Sequence, residues 1–176
     1  MSLLLLAATA LLTVQPAFAA PTPEQQQSMT GRFVSAEEES TVRARIDQSV
    51  EHTAMQFPWA IRPLARPRLR EGAIFCPDFS THLEAETLTI QCAGKSALVR
   101  RLDGSDGPFT LEKGKAYDTD IQLEDVHTLA VSYVGERGNR DVRYVFRADG
   151  VRLLVSVYGP HLTTPMQWDI DYRRVE

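Results

Sequence analysis

The chain has 176 residues, 43% hydrophobic and 24% charged. That length allows one domain with a short extension, and that mix excludes collagen-like, low-complexity and wholly disordered classes. Lys plus Arg number 19 against 23 Asp plus Glu, a formal net charge of -4, so the basic excess with which a nucleic-acid binder displaces counterions is missing and no nucleic-acid partner is expected.

Residues 1–19 read as a secretory signal peptide. Leu3 to Val14 is uncharged and dominated by Leu and Ala, and Ala17-Phe18-Ala19 supplies the small-x-small pattern that signal peptidase accepts. The apolar run of about 12 residues falls short of the roughly 20 that cross a bilayer. The expected location is periplasmic or secreted. Cys76 and Cys92 both lie in the exported part, and an oxidising compartment makes a Cys76–Cys92 disulfide the leading expectation, worth about 3 kcal/mol through restriction of the unfolded chain. Two buried thiols are the alternative. A zinc pair would need further ligands at finger-like spacing, and none appears.

Residues 20–34, with Pro21-Thr22-Pro23 and Gln25-Gln26-Gln27, are too polar to bury much apolar area and are expected to form a flexible leader. Residues 35–57 are expected to form an amphipathic helix. Ser35-Ala36-Glu37-Glu38 fits a capping box, Val42, Ile46, Val50, Ala54 and Phe57 recur at three- or four-residue spacing, and Pro58 ends the run. Residues 58–75 repeat Arg-Pro at 62–63 and 66–67, and their three prolines predict an extended or kinked connector. Its arginines either pair with the domain's carboxylates or meet an anionic membrane surface, with Trp59, Ile61, Leu64 and Leu69 dipping into the interface.

From Phe79 the period changes from about 3.6 to 2. Strands are predicted at Phe79–Leu83, Leu88–Cys92, Ala97–Arg101, Tyr117–Leu123, Thr128–Val134, Val142–Arg147, Val151–Tyr158 and Met166–Arg174, separated by turn residues, among which Asp149-Gly150 is the type I′ hairpin signal. The expected fold is mostly β with one N-terminal α-helix: an antiparallel up-and-down meander of about eight short strands over residues 76–176, forming a small barrel or a curled sheet covered by the helix.

Residues 79–176, ending in the aromatic strand Trp168-Asp169-Ile170-Asp171-Tyr172-Arg173-Arg174, resemble secreted bacterial lipocalin-like proteins at the level of fold. The lipocalin Gly-x-Trp mark is absent, since Trp59 follows Phe57-Pro58, and no binding residue carries over. The resemblance implies a scaffold that often holds small apolar ligands.

The chain has no nucleophile elbow, Walker loop or zincin helix. Ser96 sits in a turn without the upstream glycine of a P-loop, His52, His82, His127 and His161 are scattered, and Asp103 to Gly107 lacks the spacing of a calcium loop. The inward stripes offer no Asp, Glu, His or Lys for acid-base work, so no catalytic residue, metal or cofactor is expected. The first functional expectation is a non-enzymatic envelope protein acting through protein contacts. The second is a binding module for a small apolar or acyl ligand, lined by Tyr117, Leu129, Tyr144, Leu153, Val155 and Trp168, with Arg62 and Arg66 at the mouth pairing a carboxylate or phosphate. An enzyme is third. A helix that fills the barrel would exclude the second; one that only covers it would favour it. Intact-mass analysis of exported protein is expected to show a chain beginning at Ala20 or Pro21, and a membrane-bound chain still beginning at Met1 would overturn the signal peptide.

Overall fold

A computed structural model describes residues 20–110, 116–136 and 138–175; the signal peptide expected over residues 1–19 lies outside them. Among these residues, ten strands form one antiparallel sheet in the order β4-β3-β2-β1-β10-β9-β8-β7-β6-β5. They are β1 (Gly31–Ser35), β2 (Asp78–Glu84), β3 (Thr87–Cys92), β4 (Leu98–Arg101), β5 (Phe109–Thr110), β6 (Ala116–Leu123), β7 (Thr128–Gly135), β8 (Gly138–Phe146), β9 (Gly150–Tyr158) and β10 (Met166–Val175). All eight expected strands are present, with inward residues in the expected phase. On β10, Met166, Trp168, Ile170 and Tyr172 are buried and alternate with more exposed residues.

Among the described residues three helices replace the single one expected: α1 (Pro23–Met29), α2 (Glu39–Ala54) and α3 (Arg62–Gly72). The leader is therefore ordered. Thr22 caps α1 by accepting from the Gln25 amide at 3.2 Å while the Gln25 side chain accepts from the Thr22 amide at 2.8 Å, and Pro23 takes the first helical position, where no amide donor is needed. Met29 is fully buried. Residues 31–35 then form β1, in which Arg32 pairs with Val175 on one side and with Ser80 on the other. Because Ser35 belongs to this strand, the capping box expected there does not form; α2 begins four residues later, and its Val42, Ile46, Val50 and Ala54 are buried as their spacing requires.

The connector is also corrected, since most of it is α3. Pro63 sits in the first turn, where a missing N–H costs nothing, and Pro67 lies inside the helix. Ion pairs to α2 orient α3 against it, from Arg66 to Glu51 at 2.7 Å and from Arg70 to Asp47 at 2.8 Å. Further bonds fix α2 to the sheet: Arg45 donates to the Asp169 carbonyl at 2.9 Å and Ser49 to the Gln167 carbonyl at 2.6 Å. No helix of the described residues is long and apolar enough to cross a membrane.

The Cys76–Cys92 disulfide is present and joins the segment after α3 to the end of β3. The β8–β9 hairpin closes between Arg147 and Gly150 around Ala148-Asp149, one residue earlier than expected. None of these residues has a positive φ, so the turn is not of the primed type; Gly150 is required because a Cβ there would run into the Tyr172 carbonyl. At the other edge, no strand pairing joins β4 to β5 or β6 among the described residues. Side chains bridge that seam instead: Arg100 donates to Thr119 Oγ1 at 3.0 Å and lies 5.1 Å from the Phe109 ring centre.

The core has a sealed end. Phe33 stacks on Phe79 at 5.3 Å and meets Phe146 at 5.8 Å, while Arg174 donates to the carbonyls of Ser28 and Thr30 and tethers the end of α1 beneath them. Trp168 is 5% exposed, whereas its neighbour Gln167 is exposed. Trp168→Ala should therefore cost about 3–5 kcal/mol, and Gln167→Ala no more than about 0.5, in denaturant melts; equal effects would mean the strand phase is reversed. Burial raises the phenols of Tyr133, Tyr144 and Tyr172 above their ordinary value by disfavouring the charged form. Their contribution to stability is then full below the ordinary phenol range and is lost as pH rises through the raised values. An absorbance titration should find these three of the five tyrosines ionising only as the fold is lost at alkaline pH; ionisation of all five before unfolding would contradict the burial.

Candidate ligand-binding site

The helices lie over one end of the barrel and do not fill it. Above the aromatic floor is a cavity of about 1010 Å³, at the upper end of the range of roughly 300–1,000 Å³ for small-molecule sites. Its wall comes from period-2 faces of the sheet: Phe79 on β2, Ile90 on β3, Leu98 on β4, Tyr117 on β6, Tyr133 on β7, Val142 and Tyr144 on β8, Leu153, Val155 and Val157 on β9, and Ile170 and Tyr172 on β10. The rim is formed by Glu71, Gly72 and Ile74 at the end of α3, by Lys95 and Ser96 in the β3–β4 turn, and by Gly135 and Glu136 in the β7–β8 turn. Cys76 and Cys92 also line the space, so the disulfide fixes one side of the mouth. The Tyr172 hydroxyl donates to the Cys76 carbonyl at 2.8 Å and ties that side to β10.

Of the residues expected from sequence to line the interior, Tyr117, Tyr144, Leu153 and Val155 do so. Leu129 and Trp168 are buried in the packed core and do not face the cavity. Arg62 and Arg66 do not reach the mouth. Arg62 donates to the Phe57 carbonyl at 3.0 Å and Arg66 is bound to Glu51, so the connector's arginines largely serve to join α3 to α2. Trp59, Ile61 and Leu64 stand exposed at the start of α3, outside the cavity.

Among the described residues the interior cation on the cavity wall is Arg140, which sequence reasoning missed. The strand was expected to start at Val142, with residues 135–139 as a turn; extending the phase of Phe146, Tyr144 and Val142 by one step would have brought Arg140 inward. Its guanidinium lies 4.5 Å from the Tyr133 ring centre, and the phenols of Tyr133 and Tyr144 both feel its charge. Among the described residues no three His, Cys, Asp or Glu side chains converge to hold a metal ion. The chemistry of the site is that of an apolar chamber with hydroxyls and one guanidinium: it can enclose, orient and neutralise a molecule.

No family model and no curated protein matches the sequence. Solved structures do match in shape. A Schistosoma mansoni fatty acid binding protein in complex with arachidonic acid is 13% identical with a TM-score of 0.54, over 86% of this chain and 99% of that one. Fatty-acid-binding protein 1 of Echinococcus granulosus is 12% identical with a TM-score of 0.51, over 85% and 99%, and As-p18, an extracellular fatty acid binding protein, is 11% identical with a TM-score of 0.50, over 86% and 99%. The lipocalin-like resemblance thus holds as a small antiparallel barrel capped by helices, and at these identities what the chain shares with the three proteins is that fold.

Proposed function

We propose that this protein is an exported, non-enzymatic binding module that carries a small apolar or acyl ligand inside the barrel. The carrying observation is the cavity itself: the helical pair covers the barrel end and leaves the interior open, which favours ligand binding over the envelope-protein role that sequence placed first. The apolar wall from Val142 to Tyr172 supplies the burial that such a ligand needs, at roughly 25 cal/mol per Å² removed from water. The matched structures, one of them in complex with arachidonic acid, support the same ligand class, and the disulfide supports an oxidising compartment.

The test is displacement of a fluorescent C18 fatty acid from delipidated protein. Wild type is expected to bind one equivalent saturably at micromolar concentration and to release it to unlabelled oleate. Val157→Trp, which fills the mouth from a half-buried position without touching the aromatic floor, should abolish binding while circular dichroism stays native. Absence of saturable binding in wild type would return the protein to the envelope-protein reading.

A further inference from the structure

The Cys76–Cys92 disulfide stands in the wall of the cavity, and within the folded chain most of what it could hold is held already. Cys92 ends β3 opposite Phe79, and from there the β2–β3 ladder runs to Glu84 and Thr87. Just after Cys76, the Pro77 carbonyl accepts from the Ser35 amide and the Asp78 carbonyl from the Ala93 amide, both at 2.9 Å. The hairpin between the two cysteines thus closes itself through its backbone. What the disulfide adds is a hold on the chain before Pro77, where residues 73–76 lead out of α3. That segment carries one part of the rim, with Gly72 and Ile74, and the β3–β4 turn carries another, with Lys95 and Ser96; the disulfide joins the two. The segment's other attachments lead elsewhere. Phe75 is buried with its ring centre 5.6 Å from the Arg43 guanidinium of α2, and the Cys76 carbonyl accepts from Tyr172 of β10; neither reaches Cys92 or the β3–β4 turn. Of its own residues α3 buries Ala65 alone, and its exposed ion pairs to α2 are a weak hold.

From this placement, and resting on the ligand-binding reading of the cavity, we infer that Cys76–Cys92 is a redox latch on the mouth. Closed, it pins the tail of α3 to the β3–β4 turn and slows the passage of ligand; opened by thiol–disulfide exchange with a dithiol, it frees that tail and speeds exchange, while the sheet and the cavity keep their form. Both cysteines are only half-buried and face the cavity, where a small dithiol can reach them. A thiolate of the dithiol attacks one cysteine sulfur, the Cys76–Cys92 bond breaks, and the other cysteine leaves as a thiolate that takes up a proton. The second thiol of the dithiol, as its thiolate, then attacks the mixed disulfide and releases the first cysteine, which is protonated in turn. The dithiol ends as its own disulfide, two electrons poorer, and Cys76 and Cys92 end as thiols; the reverse exchange closes the latch. The apolar wall on β8, β9 and β10 that gives a ligand its burial is untouched, so entry and exit change together.

Stopped-flow fluorescence with a fluorescent C18 fatty acid tests the latch on oxidised protein, on the same protein reduced with dithiothreitol, and on a variant carrying both Cys76→Ser and Cys92→Ser. Reduction and the double substitution should each raise the association and dissociation rates together by about 10-fold, leaving Kd within about 3-fold of the oxidised value, with native circular dichroism throughout. Dithiothreitol should change neither rate in the serine variant, and reoxidation of the reduced wild type should restore the slow rates. A disulfide that only stabilises the fold lowers the melting temperature without moving either rate, and that result would overturn the latch. So would loss of native circular dichroism in both opened forms at the assay temperature, or a faster dissociation matched by an equal weakening of Kd, which would make the disulfide part of the binding wall and leave the cavity reading standing. Absence of saturable binding in all three proteins would overturn the cavity reading and the latch with it.

Discussion

The interior space depends on the insertion of a five-residue strand between the two ends of the meander. β1 pairs with β2 on one side and with β10 on the other, so the strand nearest the N-terminus and the last strand of the chain become neighbours. Without it, β2 and β10 would be free edges, each a row of unpaired N–H and C=O groups, and the sheet would fall into two pieces, β2–β4 and β5–β10, with no common interior. The same residues also supply the floor. Phe33 points inward from β1 and gathers Phe79 and Phe146 around it, so one short segment both closes the wall and seals its base.

The opposite end is covered by helices, and it stays hollow because of where their apolar residues lie. α2 buries a single stripe, Val42, Ile46, Val50 and Ala54, while its polar side faces α3 through Glu51 and Asp47. Exposed ion pairs of that kind are worth about 0.2–1 kcal/mol each, so they orient α3 more than they hold it; the anchoring comes from apolar burial and from the bonds of Arg45 and Ser49 to β10. A helix with apolar residues all round would have sunk into the barrel and filled it. One with a single stripe lies across the rim.

The strands were legible in the sequence because one buried face makes alternation obligatory, and a slip by one residue would turn Trp168 and Ile170 outward. The disulfide was legible from the parity of two cysteines. What escaped did so for local physical reasons. β1 is five residues long with one fully buried side chain, Phe33, too short for a period, and its final serine doubled as a plausible helix cap. The cap that forms is Thr22, three residues before a glutamine that mimics the expected glutamate. α3 was hidden by its prolines, whose helix-breaking tendency was overridden by contacts with α2 that no local pattern reveals. Arg62 and Arg66 were expected at the mouth because they are cationic, whereas the cation on the wall, Arg140, stood in what looked like a glycine-rich turn.

The seam between β4 and β6 gives the wall a mechanical property that ladders elsewhere deny it. Around the rest of the circumference, widening the barrel means breaking rows of backbone hydrogen bonds together. At the seam it means releasing a side-chain bond from Arg100 to Thr119, worth on the order of 1 kcal/mol, and sliding a guanidinium across the Phe109 ring. Leu98, Phe109 and Tyr117, which flank this joint, all line the cavity. Among the described residues, the girth of the chamber is thus the dimension that backbone ladders fix least along this one line, while around the rest of the sheet they fix it row by row.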